Sequence, residues 1–153
     1  AKTGVILNCK KEADSIIDIL AETVKSFNAS PSANTPKHSM YYVVGFGNSG
    51  NFTAGGNSHI NDIIELSGGV NIASDNKGWS FSNEALLSAD PNYIIVRQED
   101  AEAFCNMHPY NQLTAVQAGH VIPIESNIMD LQIPRNTDAI AIIRNFVENN
   151  PIQ

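Results

Sequence analysis

Three short stretches of this chain are apolar at nearly every position. They are Met40, Tyr41, Tyr42, Val43 and Val44; Tyr93, Ile94, Ile95 and Val96; and Val121, Ile122, Pro123 and Ile124. A strand with one face in water alternates apolar and polar residues, so a run without alternation has to be covered on both faces. Helices fill the intervals. Ile60, Ile63, Ile64 and Ser67 share one helical face, with Asn57 or Ser58 as the N-cap and Gly68 and Gly69 as the stop. A second helix starts at Ser82, carries Glu84 in its first turn, where the helix dipole favours an acid, and ends before Asp90 and Pro91. A further helical turn covers residues 113–118. A last helix begins at Thr137 and Asp138 and buries Ile140, Ile143, Phe146 and Val147. Buried strands alternating with helices predict an α/β fold: a mostly parallel sheet with helices on both faces. Pro123 has no N–H to give a neighbour, which places its strand at an edge or its residue at a strand end.

Residues 9–27 read as an amphipathic helix, with Ala13, Ile16, Ile17, Leu20, Val24 and Phe27 on one face. The small, polar, proline-bearing stretch 28–36 reads as a loop, and the one internal boundary falls there. The expected organisation is a helix and linker over 1–37, then an α/β unit over 38–153.

At 153 residues the chain has room for one core, and its 42% apolar and 16% charged content is ordinary for a globular unit. The net charge of −7, with only Lys10 and Lys11 as a close basic pair, argues against a nucleic-acid partner. No stretch approaches the roughly 18 apolar residues of a membrane span. The opening residues lack the pattern of a secretory signal, which leaves open a cytosolic chain or one whose export signal lies outside this sequence. Cys9 and Cys105 share no metal-type spacing, and their pairing is undecided at this point.

In parallel sheets, ligands bind beyond the carboxyl ends of the strands. That rule points to the loops at 45–56, 97–105 and 125–135. Gly45, Gly47 and Gly50 match a dinucleotide-type glycine pattern. The loop nevertheless runs on through Asn51 to Gly56, and Ser67, Gly68 and Gly69 stand where a nucleotide fold needs a strand ending in an acid. A ligand-facing loop fits better. Ser49 misses the serine-elbow spacing by one glycine position. Cys105 and His108 are too close in sequence to suit a nucleophile and base, and His38, His59, His108 and His120 lack metal-type spacing. Trp79, in a polar glycine-bearing loop, suits either a part-buried core position or a flat contact for a large planar ligand. Arg97 and Arg135 follow a strand and a proline respectively, and suit anionic groups or ordinary ion pairs.

Several segments, in this order and spacing, resemble the second lobe of the binding proteins for ferric siderophores, haem and cobalamin. They are Thr53, Ala54, Gly55 and Gly56; Leu66, Ser67, Gly68, Gly69 and Val70; Trp79 through Asp90 and Pro91 to Val96; and Leu113 to Ile122. The opening helix resembles the long helix joining the two lobes in that family. The resemblance implies a Rossmann-like three-layer lobe and an ABC importer's substrate-binding component, non-enzymatic and without a resident cofactor. Its location would be extracytoplasmic, in the periplasm or lipid-anchored at the outer face of the cell membrane. The ligand would be a ferric siderophore, haem or cobalamin held between two lobes, of which this chain supplies one. Membrane contact would come only through a lipid anchor or the permease. Ligand contacts carried over are Ser49, Asn51, Phe52, Thr53, Trp79, Arg97, Gln98, Met129 and Arg135, and Glu84 falls at the acid that docks on the permease. Two alternatives stay open from the residues alone: a sensor or adhesion domain using the same lobe, and a small α/β hydrolase or transferase.

Overall fold

A computed structural model describes residues 2–29 and 37–152. The proline-bearing loop read between the first helix and the first strand lies, from residue 30 to 36, outside the described residues. The chain divides into two compact units, 1–35 and 36–153.

The first unit holds α1 (Lys2–Ile6) and α2 (Lys10–Ala29). Asn8, with φ 53°, turns the chain between them, and the Cys9 amide donates to the Gly4 carbonyl at 2.8 Å. Gly4 is buried against α2. A Cβ there would lie 2.5 Å from the Ala13 Cβ, so only glycine lets the short helix sit this close.

The second unit runs β1 (His38–Val43), β2 (Asn51–Phe52), α3 (His59–Leu66), β3 (Gly69–Asn71), β4 (Ser80–Phe81), α4 (Asn83–Ala89) and β5 (Tyr93–Arg97). It continues with α5 (Ala101–Asn106), α6 (Thr114–Gln117), β6 (Val121–Ile124), α7 (Ser126–Asp130) and α8 (Asn136–Asn149). The main sheet has the order β3-β1-β5-β6 and is parallel throughout. β2 and β4 form a separate antiparallel ribbon. As expected, β6 with Pro123 is an edge strand.

Register decides which side chains share a face. Tyr41 pairs with Ile94 and Val43 with Val96, and these four join Leu86, Phe104, Tyr110, Leu113 and Ala115 in one buried cluster under α4, α5 and α6. The alternate positions, Met40, Tyr42, Tyr93 and Ile95, are 0% exposed and look the other way. On that side Tyr93 meets Phe146 of α8 edge to face and donates to the Asn150 carbonyl, while Tyr42 reaches Asp130 of α7. Covering both faces is what removes any alternation from β1 and β5. The predicted caps hold as well: Ser58 and Ser82 each accept the backbone N–H three residues on.

Besides α1 and the two-residue strands β2 and β4, which the sequence reading left in loops or unassigned, three elements depart from it. A strand does form at Gly69–Asn71, but it ends in Asn71 and not in an acid. Its Gly69 is required because Met40 fills the space a Cβ would need. The loops read at 97–105 and 125–135 contain α5 and α7, each only a turn or so long. Neither has a side-chain cap, so local sequence gave no start signal. Both cysteines are free thiols.

Ile95→Ala, in the middle of the doubly covered β5, should cost about 2–5 kcal/mol. Ser82→Ala should cost about 1 kcal/mol. Urea unfolding of the two variants should show lowered midpoints with unchanged slopes. A loss below about 1 kcal/mol for Ile95→Ala would contradict the two-sided burial.

Candidate ligand-binding face

Because every strand of the main sheet points the same way, the segments leaving β1, β5 and β6 emerge at one edge. Along that edge lies an open depression of about 670 Å³, whose walls include His59, Lys77, Trp79, Asp130, Leu131 and Gln132.

One wall is built by the glycine loop. After β1 the chain makes a short 3-10 turn at Gly47–Ser49 and returns as β2, so no α-helix opens on the glycine pattern as a phosphate site needs. β2 pairs with β4, and the Thr53 amide donates to the Trp79 carbonyl at 2.8 Å. Further along, Gly55 and Gly56 let this loop touch the one after β3. A Cβ on either would fall 2.2 or 2.3 Å from the carbonyl oxygens of Asn76 and Ser74. Asn76 donates to the carbonyls of Gly78 and Ser80 and so braces the Trp79 loop. The indole itself is left 56% exposed.

The opposite wall hangs on Asp130. Tyr42 and Arg97 stand on the same sheet face at the ends of adjacent strands. Tyr42 donates to one carboxylate oxygen of Asp130, and Arg97 gives Nε and Nη2 to the other, both at 2.9 Å. Burial first, then the hydrogen bond to Asp130 and its charge, push the Tyr42 phenol far above its ordinary value. Burial pulls the Arg97 guanidinium down, but Asp130 and Tyr42 more than offset it and leave its pKa raised. Two further ties hold the segment after α7. His59 Nε2 lies 3.0 Å from the Met129 carbonyl, which can only accept, so that nitrogen carries the proton. Asn136 Nδ2 donates to the carbonyls of Ile128 and Leu131. Leu131 is left 54% exposed, so both walls present an apolar group to the opening.

The residues carried over by resemblance separate into groups. Trp79 lines the depression. Gln98 lies beyond β5, exposed, in a shallower hollow shared with Glu99 and Glu125. Phe52 is half-buried in the ribbon. Asn51 and Thr53 are buried: Asn51 accepts from Tyr110 and donates to Asn83, and Thr53 donates to the Tyr42 carbonyl at 2.7 Å. Met129 is 0% exposed. These three side chains therefore brace the walls from inside and do not present a surface. The Ser49 side chain lies outside the described residues. Arg97 is held by Asp130, and Arg135 sits between Asp138 at 3.1 Å and Glu125 at 3.8 Å. Glu84 is exposed in the first turn of α4. Sequence reasoning pointed to the loop at 125–135, which holds Asp130, Leu131 and Gln132, without singling those residues out; it weighed His59 only as a metal ligand and passed over Lys77. The available hint for Asp130 was Tyr42, whose hydroxyl inside an apolar strand has to find an acceptor.

Burial raises the Cys105 thiol's pKa, the reverse of an activated nucleophile, and His108 lies exposed with its Nδ1 3.4 Å from Gln112 Nε2. Among the described residues, no group of three or more His, Cys, Asp or Glu is placed to hold a metal ion. A hollow of about 440 Å³ at the opposite edge, between Asn92 and His120, has its Asp90 carboxylate occupied by the Thr114 amide and hydroxyl.

A family model for periplasmic binding proteins matches residues 1–128. The chain belongs to that family. It is 28% identical over 156 residues to a cobalamin-binding protein of Halobacterium salinarum, a match covering 95% of this chain and 41% of the relative. An ABC-type Fe3+-hydroxamate transport system structure from Saccharomonospora viridis shares the fold with a TM-score of 0.80 at 18% identity, over 95% of this chain and 52% of that one. The periplasmic vitamin B12 binding protein of Vibrio cholerae does so with 0.72 at 20%, over 95% and 55%. The chain thus spans roughly half, or less, of these relatives, and corresponds to an α/β lobe of the family fold.

Tyr41, Tyr42 and Tyr93 all have pKa values raised above the ordinary 10.0, with burial as the largest cause in each. In the unfolded chain these phenols ionise near pH 10, while in the fold they stay protonated. The fold therefore keeps its full advantage below about pH 10 and loses stability as pH climbs above it. Absorbance of the folded protein at 295 nm should show the Tyr41 and Tyr42 phenols silent near pH 10, then ionising together with loss of far-UV ellipticity. Smooth titration near pH 10 with the fold intact would contradict the burial described.

Proposed function

We propose that this chain is part of the substrate-binding component of an ABC importer for a metal chelate, a ferric siderophore, haem or cobalamin. It works outside the cytoplasm, in the periplasm or lipid-anchored at the outer face of the membrane. The observation that carries the reading is an open depression at the carboxyl edge of the sheet, with exposed Trp79 on one wall and exposed Leu131 on the other, which Asp130 fixes, in a chain of the periplasmic binding protein family. Such a face captures; it makes and breaks no bond. The indole and the leucine offer flat apolar contact to a large planar or globular chelate, and the fixed wall lowers the ordering cost of binding. The names of the relatives, a cobalamin-binding protein and an Fe3+-hydroxamate transport system among them, support the ligand class. Closure against a companion lobe completes the cleft.

Glu84 is the docking acid for the permease. It stands exposed in the first turn of a helix whose cap, Ser82, fixes its direction. Trp79→Ala in the complete polypeptide should weaken chelate binding by roughly 5- to 13-fold, the loss of about 1–1.5 kcal/mol of aromatic contact. Glu84→Lys should leave chelate affinity unchanged and abolish stimulation of the transporter's ATPase in vesicles. Full transport by Glu84→Lys would remove the docking assignment. Unchanged affinity in Trp79→Ala would remove the depression as the ligand site.

A further inference from the structure

We propose that this face takes a metal chelate without net negative charge, rimmed by uncharged hydrogen-bonding groups, and turns away chelates bearing carboxylates or catecholates. The inference rests on the chelate-binding reading above and narrows its ligand.

The charges along the carboxyl edge carry it. Asp130 lines the main depression, and Glu99 and Glu125 line the neighbouring hollow. Against these three acids the linings contain one cation, Lys77, which is exposed on a long, well-hydrated arm and makes no ion pair among the described residues. The two arginines that could meet an anion are already committed. Arg97 gives two donors to Asp130 and lies 4.0 Å from Asp100. Arg135 is shared by Asp138 and Glu125. The N–H groups that Arg97 does not give to Asp130 lie beside Asp130 and Asp100, so a ligand carboxylate either meets two acids there or has to break the Asp130 pair and leave that part-buried charge with only Tyr42 as a donor. Breaking such a pair costs more than a new exposed pair returns. With both arginines counted, five acids (Asp100, Asp130, Asp138, Glu99 and Glu125) face three cations (Arg97, Arg135 and Lys77), so an anionic chelate meets an acidic edge, which is selection against the wrong ligand as much as for the right one.

The uncharged groups point the same way. Asn57 and Gln132 line the depression as exposed carboxamides, each with both a donor and an acceptor. His59 has Nε2 committed to the Met129 carbonyl, which leaves Nδ1 as an acceptor 3.5 Å from Gln132 Nε2. A rim of amides or hydroxamates matches this set. A rim of ionised oxygens finds few donors.

Calorimetric titration of the complete polypeptide with four probes tests this: cyanocobalamin (uncharged, amide-rimmed), ferrioxamine B (a cationic trihydroxamate), haemin (a dicarboxylate) and a ferric tris-catecholate. Either of the first two should bind at least about tenfold tighter than both anions, and which of them wins separates a corrinoid from a hydroxamate source. In the double variant Glu99→Gln, Glu125→Gln, both exposed positions, affinity for the anions should rise roughly 3- to 10-fold at low salt, with the gain fading at high salt. Tightest binding by haemin or the tris-catecholate overturns the charge inference and leaves the importer reading standing. No binding of any probe by the folded polypeptide overturns both. Anion affinity that does not respond to the double variant counts against the repulsion argued here.

Discussion

The parallel pairing of β1 with β5 is the constraint on which the rest depends. Both strands are covered on two faces, so they admit almost no polar residue and cannot slip register without exposing a row of buried side chains. Parallel strands must return through helices, and the helices supply the cover. The same pairing brings all the strand ends out at one edge. Tyr42 and Arg97 share a face there because Tyr42 lies opposite Ile95, two residues before Arg97.

The walls of the depression are fixed by polar bonds laid on that frame. Asp130 receives Tyr42 and Arg97 from two strands, His59 holds the Met129 carbonyl, and Asn136 gathers the carbonyls of Ile128 in α7 and of Leu131 just after it. On the other side Asn51, Thr53 and Asn76 hold the loops that carry Trp79. The groups left over for a ligand are an indole, a leucine, two carboxamides, the His59 Nδ1 acceptor and one lysine.

Much of the fold was legible in the sequence, for particular reasons. The cores of β1, β5 and β6 are apolar runs, Ser58 and Ser82 are N-caps that a short helix needs, and Pro123 marks an edge. β3 was hidden because it is three residues long with Val70 exposed. α5 and α7 bury little beyond Phe104, Ile128 and Met129 and begin without a cap. At the site, the polar neighbours of Trp79 left open both a part-buried position and a flat contact, and the structure leaves it exposed. Asn51 and Thr53 could not be told from ligand-facing residues, since a polar side chain in a glycine-rich loop looks alike whether it braces the loop or meets solvent. Asp130 was invisible because its partners Tyr42 and Arg97 lie 88 and 33 residues away. The family resemblance supplied what periodicity could not: the order of segments that marks a lobe of a two-lobe binding protein.

The central claim is that ligand sits at the carboxyl edge of the sheet, between the Trp79 loop and the segment after α7. Amide chemical-shift mapping of the labelled complete polypeptide, saturated with the chelate it binds most tightly, tests this directly. The account predicts shifts in this lobe concentrated at residues 55–59, 77–81 and 129–133, together with the Trp79 indole N–H. Shifts concentrated at the opposite edge, around Asn92 and His120, or confined to the rest of the polypeptide, would contradict it.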